Sequence, residues 1–385
     1  MELPRTAEVV IVGGGVMGAS TAYHLAHAGC DGVLLLERER FFGTQATGRC
    51  AGGIRHQFGT EINVQLSKLS LPMLYRFEEE LGQPIDLNLC GYLFLLTKRE
   101  DVEVFRRTLE MQQRLGVETE WLDPGEISEL VPMMCLDGVL GGTFSRRDGL
   151  ADPSSVVQGY VSGARRLGAS LLTDVEVTDI SVTNGRVDGL VTDKGAVSTP
   201  VVVNAAGPWA GVVGELAGLE IPVVPLRRQI AVTGPIPELS SGFPFVIDFA
   251  QSLYFHPEGE GILTGMSNPY ETPGFDQTVD SEWELVHLAA AVERMPLLDR
   301  AGLGSRWAGL YEVSPDAHPI LGRVLGLEGY FCVNGFSGHG FMHGPVCGLL
   351  LTEEILDGRA HTLDISCLYL DRFERERGVV EYNVV

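Results

Sequence analysis

Residues 8–25 read EVVIVGGGVMGASTAYHL, a short β-branched run followed by three glycines and a stretch with helical character. Gly13, Gly15 and Gly18 occupy the three positions of the G-x-G-x-x-G pattern. There the first glycine permits a tight turn, the second lets the backbone approach a pyrophosphate, and the third lets the helix pack closely on the strand. The first N–H groups of the helix then face the phosphates. The stretch therefore predicts a strand, a turn and a helix that bind a dinucleotide.

A second apolar run, residues 32–36, follows the helical stretch and is succeeded by Glu37. An acid about 20 residues beyond the glycines accepts the ribose hydroxyls of a dinucleotide in this type of site. The alternative is a glycine-rich turn in some other α/β protein. The order of strand, helix, strand and terminal acid favours the dinucleotide site.

The composition is ordinary for a folded chain of two domains, with 385 residues, 45% of them hydrophobic and 21% charged. The 51 acidic and 28 basic side chains leave a net charge of −23, which repels phosphate backbones, so we expect no nucleic-acid partner. The seven cysteines contain no C-x-x-C pair, which argues against a disulfide framework and a structural metal. With no basic-then-apolar leader and no apolar run near the roughly 18 residues of a membrane span, we expect a cytoplasmic protein without membrane insertion.

The character of the sequence changes after the first two predicted strands. Residues 38–58 form a long loop of glycines and other small residues, which suits a backbone that passes close to a ligand. Residues 201–207 are a further β-branched run that ends in small residues. Between residues 226 and 265, four short strand-like runs joined by turns predict an antiparallel sheet distinct from the parallel dinucleotide core. No long linker separates the two parts, so we expect interleaved domains.

Six segments, spread over nearly the full chain, resemble the flavin-dependent amino-acid and amine oxidoreductases that include D-amino acid oxidase, glycine oxidase and sarcosine oxidase. They read VIVGGGVMG (10–18), RCAGGIR (49–55), GYLFLL (91–96), NAAG (204–207), GLYEVSPD (309–316) and GFSGHGF (335–341). The resemblance is closest to sarcosine oxidase, both monomeric and β-subunit forms, and to the β subunit of archaeal-type L-proline dehydrogenase. It implies FAD, a choice that the glycine pattern alone leaves open between FAD and NAD.

The resemblance also implies a fold and its division into domains. We expect an α/β protein in which a Rossmann-type FAD-binding domain is interleaved with an α+β substrate domain that contains the antiparallel sheet. The FAD-binding domain is expected to comprise residues 1–83, 149–219 and 312–385. The substrate-binding domain is expected to comprise residues 84–148 and 220–311.

The cofactor contacts that the resemblance implies fall into groups along the FAD molecule. The adenosine and pyrophosphate are expected to contact Gly13, Gly15, Val16, Met17, Glu37 and Arg38. The isoalloxazine is expected to run beside Thr47, Arg49, Cys50, Ala51 and Gly52. The adenine is expected to meet Val177, and the ribityl–phosphate region Ala205, Ala206 and Gly207. A helix start is expected to stabilise the anionic reduced ring at the flavin N1–C2=O edge through its dipole. That start comprises Gly338, His339, Gly340, Phe341 and Met342.

Four residues are candidates for the substrate side. Arg55 matches an arginine that clamps the substrate carboxylate in related sarcosine oxidases, a task suited to its planar fork of donors; the alternative is a solvated arginine or one paired with Glu61. Tyr254 and Tyr311 match positions that line the substrate side of the flavin, although tyrosines on strands are often core residues. His339 is expected beside the flavin, and its alternative is a merely buried histidine.

Departures from the family pattern concern flavin attachment and oxygen. The monomeric sarcosine oxidases attach FAD through a cysteine at the position of Gly309, so we expect noncovalent FAD here. The same enzymes use a lysine near the flavin to activate oxygen, where this chain has Leu263, and Met342 replaces a second lysine. The absence of both cations argues against a fast reaction of the reduced flavin with oxygen, because a fixed positive charge stabilises developing superoxide.

The function that follows is FAD-dependent oxidation of a small secondary amino acid, sarcosine or another N-substituted glycine first and L-proline second. The carbon beside nitrogen gives a hydride to flavin N5, water hydrolyses the imine, and oxygen is reduced to hydrogen peroxide. One alternative is a flavin-bearing subunit, as in L-proline dehydrogenase, that passes electrons to a partner subunit. Another is a glycine or D-amino acid oxidase.

Overall fold

The computed structural model describes residues 2–240, 242–374 and 379–384. Its strands, numbered in chain order, are β1 Val9–Val12, β2 Val33–Leu36, β3 Gly53–Ile54, β4 Tyr92–Leu96, β5 Thr119–Leu122, β6 Gly141–Ser145, β7 Gly149–Leu150, β8 Ser170–Leu172, β9 Val177–Thr183, β10 Arg186–Thr192, β11 Gly195–Ser198, β12 Val202–Asn204, β13 Val224–Thr233, β14 Phe245–Asp248, β15 Leu253–Glu258, β16 Gly261–Met266, β17 Leu303–Val313, β18 Ile320–Arg323 and β19 Tyr330–Asn334. Its α-helices are α1 Val16–His27, α2 Glu61–Tyr75, α3 Phe77–Leu81, α4 Arg99–Arg114, α5 Pro124–Leu130, α6 Pro153–Arg166, α7 Ala210–Glu215, α8 Ser281–Arg294 and α9 Gly340–Leu356.

A six-stranded sheet in the order β18-β19-β12-β1-β2-β8 contains the predicted dinucleotide core. Its central strand, β1, pairs in parallel with β2 and β12, and only the edge strand β18 runs antiparallel to its neighbour. Strands β1 and β2 are buried at every position. A parallel strand covered on both faces needs a continuous apolar run, and the sequences VVIV and VLLL meet that need.

The two faces of this sheet bury different partners because successive side chains of a strand point in opposite directions. Val9 and Ile11 of β1 belong to a core formed with α1, α2, α6 and α9. Val10 and Val12 belong to a second core, which includes residues of the three-stranded sheet β11-β10-β9 and of α7. The dinucleotide sheet is therefore the middle layer between helices and a small antiparallel sheet.

An eight-stranded sheet in the order β17-β13-β16-β15-β14-β4-β6-β5 forms the second large unit. Its pairings are antiparallel except between β14 and β4, which lie side by side in parallel. The sheet takes its strands from residues 92–145 and 224–313, and the chain returns to the six-stranded sheet between and after these stretches. The expected α/β fold with a separate antiparallel sheet is confirmed.

The predicted division into two interleaved domains stays a prediction. The strands of the six-stranded sheet fall within residues 1–83, 149–219 and 312–385. Strand β17 ends at Val313, two residues beyond the boundary placed between residues 311 and 312. Residues 61–81 form two helices, α2 and α3, which are interrupted at Arg76, four residues after Pro72. Among the described residues no helix is both long and apolar enough to cross a membrane.

Gly18 lies where α1 packs on the turn that follows β1. A Cβ atom built on Gly18 would come 1.9 Å from the carbonyl oxygen of Gly13, a backbone atom that cannot rotate away. We expect Gly18→Ala to displace this turn and to lower the free energy of unfolding by about 1–3 kcal/mol, the usual cost of overpacking a core. Thermal denaturation checks this, with Gly274→Ala as the control because a Cβ there meets no atom within 4 Å. Equal melting temperatures for the two variants would contradict the role assigned to Gly18.

Candidate active site

A cavity of about 250 Å³ lies between the two large sheets. Its walls come from the β1–α1 turn, the ends of β2 and β12 and the start of α9 on one side, and from the eight-stranded sheet on the other. All of the predicted cofactor and substrate residues line this cavity except Arg49 and His339. The tertiary fold thus collects residues from many well-separated segments of the sequence around one space.

The β1–α1 turn leaves backbone, rather than side chains, at one end of the cavity. Gly13 has a φ of +111°, and a Cβ on it would lie 2.4 Å from the carbonyl oxygen of Ala205. A Cβ on Gly15 would point into free space apart from Thr47 Oγ1 at 3.1 Å. The start of α1 carries no acidic residue and no side-chain cap. A helix start of this kind, bare of acids and open to a cavity, suits a bound phosphate.

Glu37 joins the ends of β1 and β2 at the cavity wall. Its Oε2 accepts a hydrogen bond from the backbone N–H of Gly14 at 2.7 Å, and its Oε1 accepts one from Glu39 N–H at 2.8 Å. Burial raises the pKa of the carboxyl, and the two N–H groups oppose that rise. Beside it, the Arg38 guanidinium lies 4.0 Å from the ring centroid of Trp209, whose ring also lines the cavity.

Arg49 anchors the 38–58 loop to the eight-stranded sheet and does not line the cavity. Its Nη1 donates to the carbonyl of Ala308 on β17 at 2.9 Å, and Trp307 Nε1 donates to the carbonyl of Arg49 at 3.0 Å. The next residue, Cys50, does line the cavity. Burial raises the pKa of its thiol to about 11, which keeps the sulfur protonated at neutral pH.

Arg55 is a buried cation at the cavity, with 4% of its surface exposed. It donates to the carbonyl of Gln57 and, from Nη2 at 2.5 Å, to the carbonyl of Asn383, and its guanidinium lies 3.9 Å from the centroid of the Phe58 ring. No carboxylate of the described residues forms an ion pair with it. Glu61, the alternative partner, instead accepts from Gln65 Nε2 at 2.9 Å. A buried charge without a counter-ion is costly, so this site is suited to an anionic ligand.

Tyr254 and Tyr311 face the cavity because glycines leave room for their rings. A Cβ on Gly265 would meet the Tyr254 hydroxyl oxygen at 2.2 Å, and a Cβ on Gly338 would meet the Tyr311 ring at 2.4 Å. Tyr254 is buried and Tyr311 is half-buried, and desolvation raises the pKa of each phenol. Both tyrosines are therefore neutral hydrogen-bonding groups at neutral pH.

Sequence reasoning missed an apolar wall beside these tyrosines. The ring of Tyr92 stacks on Phe245 with centroids 4.3 Å apart, and Phe245 in turn stacks on Tyr254 at 5.7 Å. Ile247 and Leu310 complete this part of the cavity lining. A signal was present for Tyr92, which lies in the GYLFLL segment, but the pairing of β4 with β14 that stacks it on Phe245 is not readable from either strand alone.

His339 points away from the cavity. Its Nε2 lies 2.9 Å from the carbonyl oxygen of Ala317, its Nδ1 lies 3.2 Å from His343 Nδ1, and His343 Nε2 lies 2.9 Å from Ser67 Oγ. Burial lowers the pKa of His339 to about 4, so the ring is neutral. The Ala317 carbonyl can only accept, which assigns the proton to Nε2 and leaves Nδ1 to accept from His343. The ring is part of a buried hydrogen-bonded chain, whereas its neighbours Gly338 and Gly340 line the cavity.

The family model for FAD dependent oxidoreductases, DAO, matches residues 8–354. The chain belongs to this family. Family membership confirms the resemblance found in the six segments, and it confirms FAD as the cofactor.

Among solved structures of the family, L-proline dehydrogenase from P. horikoshii superposes with a TM-score of 0.90 at 34% identity and covers 98% of this chain and 100% of that one. Glycine oxidase from Geobacillus kaustophilus gives a TM-score of 0.85 at 26% identity over 96% and 99% of the two chains. The fold of this chain is therefore that of FAD-dependent amino-acid oxidoreductases.

Among curated relatives, human mitochondrial sarcosine dehydrogenase is 33% identical over 93% of this chain and 40% of its own length. Rat mitochondrial dimethylglycine dehydrogenase is 33% identical over 91% of this chain and 43% of its own length. A 4-methylaminobutanoate oxidase (formaldehyde-forming) from Paenarthrobacter nicotinovorans is 29% identical over 96% of this chain and 46% of its own length. The chain thus spans less than half the length of these relatives.

Glu312 is a half-buried carboxyl group of the cavity wall that sequence reasoning did not single out, although it lies in the GLYEVSPD segment. Its Oε2 accepts from the backbone N–H of Gly335 at 3.0 Å. Burial raises the pKa of Glu312 from 4.5 to about 7, although N–H groups of Gly335 and Phe336 favour the charged form. This family member therefore has a cavity carboxyl that titrates near neutral pH.

Glu312 should make folding stability depend on pH in a defined direction. The folded state binds its proton more tightly than the unfolded state does, so between about pH 4.5 and 7 a rise in pH costs stability. The free energy of unfolding of the wild type, measured relative to that of Glu312→Gln, should therefore fall between pH 5 and pH 7.5, by no more than about 3 kcal/mol. Urea denaturation of the FAD-free proteins measures it. A difference that stays flat or moves the other way would contradict the half-buried, protonated carboxyl.

Proposed function

We propose that this family member oxidises a small N-substituted amino acid, sarcosine or another N-substituted glycine, at the carbon beside nitrogen. The observation that carries the proposal is Arg55, a buried guanidinium without a carboxylate partner among the described residues, next to an aromatic wall. A small substrate fits this arrangement if its one carboxylate pairs with Arg55 and its apolar remainder packs against the aromatic wall. Support comes from the relatives named sarcosine dehydrogenase, dimethylglycine dehydrogenase and 4-methylaminobutanoate oxidase.

The residues that hold FAD are proposed from the shape of the cavity. The bare start of α1 and the glycines at positions 13 and 15 take the pyrophosphate, since they present N–H groups and no Cβ. Glu37 takes the ribose, and Arg38 and Val177 lie toward the adenine end. The loop from Thr47 to Gly52 and the start of α9 take the ring system. Bound there, FAD supplies the acceptor for the hydride and needs no metal. Attachment is proposed to be noncovalent, because Gly309 carries no thiol and that of Cys50 is protonated.

The substrate side is proposed to work through charge and desolvation. Arg55 pairs with the substrate carboxylate through its fork of N–H donors. The cation of Arg55 and the apolar wall of Tyr92, Phe245 and Ile247 both disfavour a protonated amine nearby, so they lower the pKa of the substrate nitrogen toward the reactive neutral form. Tyr254 and Tyr311 hold the substrate by hydrogen bonds and exclude water. No side-chain general base is required by this scheme.

L-Proline is the second candidate substrate. The full-length superposition on L-proline dehydrogenase from P. horikoshii favours it, and proline shares with sarcosine a secondary amine and a carboxylate. Glycine and D-amino acids remain the third class, since glycine oxidase has the same fold at lower identity. These classes differ in the amine, which makes a substrate screen decisive.

The electron acceptor is proposed to be a protein or quinone-like acceptor rather than oxygen with formation of hydrogen peroxide. The sequence contains only three lysines, Lys68, Lys98 and Lys194, and none of them lines the cavity. Leu263, which stands at the place of the oxygen-activating lysine of sarcosine oxidases, is 3% exposed and packs in the same apolar cluster as Tyr254. Without that cation, developing superoxide lacks the electrostatic stabilisation that a lysine at this position supplies.

An anaerobic screen tests the proposed substrate. Sarcosine, N,N-dimethylglycine, L-proline, glycine and D-alanine are each added to the purified FAD protein, and loss of the flavin absorbance near its visible maximum is followed. We expect the N-methylglycines to bleach the flavin fastest, since Arg55 and the apolar wall fit them. Bleaching by glycine or D-alanine alone would overturn the proposal.

The same assay tests Arg55. Replacing Arg55 by Ala should raise the sarcosine concentration for half-maximal bleaching roughly 30-fold or more, the equivalent of the 2 kcal/mol or more lost when one partner of a buried charge pair is removed. Arg114→Ala, at an exposed arginine in the last turn of α4, is the control and should leave the value unchanged. An unchanged value in Arg55→Ala would remove its assigned role.

A comparison of acceptors tests the proposal on oxygen. Turnover with an artificial dye should exceed turnover in air-saturated buffer by on the order of tenfold, about 1.4 kcal/mol in barrier. Leu263→Lys should raise the oxygen rate toward the dye rate, because it restores the cation. Peroxide formation by the wild type as fast as dye reduction would show that oxygen is the acceptor.

A further inference from the structure

Residues 381–384 (the 381–384 segment) reach the part of the cavity that contains Arg55. Val384 is part of the cavity lining. Asn383 is fully buried, and its carbonyl oxygen accepts from Arg55 Nη2 at 2.5 Å. The two preceding residues, Val379 and Val380, are 77% and 59% exposed. The chain therefore passes from the surface into the site within a few residues.

Glu381 fastens this segment to the start of α2. Its carboxylate, 2% exposed, accepts from the N–H groups of Gly59 at 2.6 Å and Thr60 at 3.1 Å, from Thr60 Oγ1 at 2.6 Å and from Asn63 Nδ2 at 2.9 Å. Its Oε1 also accepts from Asn383 N–H at 2.9 Å. Thr60 stands at the cap position of α2 without capping it through its side chain, and the carboxylate of Glu381 fills that place, where the helix dipole favours an anion.

The effect of this attachment reaches Arg55. The guanidinium is held between two backbone carbonyls, those of Gln57 and Asn383, and over the ring of Phe58. An arginine held in this way loses little side-chain entropy when a carboxylate binds its remaining N–H groups. Glu381, two residues before Asn383, ties the segment that carries this carbonyl to the start of α2.

Asn383 directs its side-chain amide away from the cavity lining, toward the loop before α2, where a Cβ on Gly59 would come 3.5 Å from its Oδ1. Neither Nδ2 nor Oδ1 of its buried side-chain amide has a hydrogen-bond partner among the described residues. It is therefore the backbone carbonyl of Asn383, bonded to Arg55, and not its side chain that reaches the cavity residues.

We propose that the 381–384 segment completes the substrate site, with Glu381 as the positioning residue that holds the Asn383 carbonyl against Arg55 and Val384 as a wall residue that limits substrate size. The inference rests on the proposed function for its substrate class. It adds a role for residues that lie outside the six segments of the family pattern.

Methoxyacetate, which has an ether oxygen in place of the amine of sarcosine and gives no hydride to the flavin in this way, tests the positioning role. Its Kd is measured from the change in flavin absorbance of the FAD-loaded enzyme, beside KM and kcat for sarcosine. Glu381→Ala should raise Kd and KM about tenfold while kcat changes little. Without Glu381, the Arg55 side chain loses conformational entropy when the ligand binds, which weakens binding. Glu381→Gln keeps one acceptor oxygen, so it can accept from Gly59 N–H or from Thr60 but not from both, and its Kd and KM should fall between those of the wild type and Glu381→Ala.

Val379→Ala is the matched control, because its side chain is exposed and lies outside the segment. It should leave Kd, KM and kcat at wild-type values. Flavin content and melting temperature of each variant establish that it is folded. Unchanged binding of methoxyacetate by folded Glu381→Ala would overturn the positioning role.

Val384→Ala keeps the inference testable even if the Glu381 variants fail to fold. It should raise kcat/KM for N-ethylglycine relative to sarcosine, a change of preference that a purely structural residue would not produce. An unchanged ratio would overturn the wall role.

The two proposals fail in different ways. If the wild type is reduced by none of the amino acids yet Glu381→Ala weakens methoxyacetate binding, the proposed function is wrong and the positioning role stands. If sarcosine reduces both proteins with the same KM, the function stands and the positioning role is wrong.

Discussion

The close approach of backbone at the carboxyl ends of the central parallel strands is the constraint on which the site depends. Gly13 lies so near the carbonyl of Ala205, and Gly18 so near the carbonyl of Gly13, that neither position has room for a Cβ atom. This contact places the start of α1 at the edge of the sheet where β2 and β12 also end. The cavity, its helix start bare of acids and the carboxylate of Glu37 all follow from that one arrangement.

The second sheet converts a dinucleotide site into a place for oxidation chemistry. Its strands present aromatic rings to the cavity, and glycines on neighbouring elements make room for them. Arg55 supplies a positive charge among these apolar groups, and the described part of the chain provides no acid to neutralise it. That imbalance destabilises the empty site and becomes favourable when an anion enters, because the pair replaces an isolated buried charge. The same charge and burial disfavour a protonated amine beside it.

Position along the chain is a poor guide to position in the site. The loop after β2, the middle of β17, the start of α9 and the 381–384 segment all meet at the cavity. Glu381 shows how such a remote residue acts, since its carboxylate caps α2 more than 300 residues earlier in the chain and so brings Asn383 against Arg55. A carboxylate that accepts from several backbone and side-chain donors at once forms charge-assisted hydrogen bonds, which are stronger than hydrogen bonds between neutral groups.

The sequence by itself determined the central strands, the glycine turn, the FAD cofactor and the family, because apolar runs, glycines at fixed spacing and six collinear segments are local signals. Through the resemblance it also predicted that Arg55, Tyr254 and Tyr311 belong to one site, and in the structure all three line the same cavity. Only the tertiary structure decided that His339 turns into the core toward Ala317 while its glycine neighbours face the cavity, and that Arg49 holds a loop. Phe245 and Val384 were likewise visible only in the fold, as was the place at the cavity of Tyr92 and Glu312, which lie within two of the six segments. Side-chain direction and burial arise from pairing and packing between distant segments, and no local pattern encodes them.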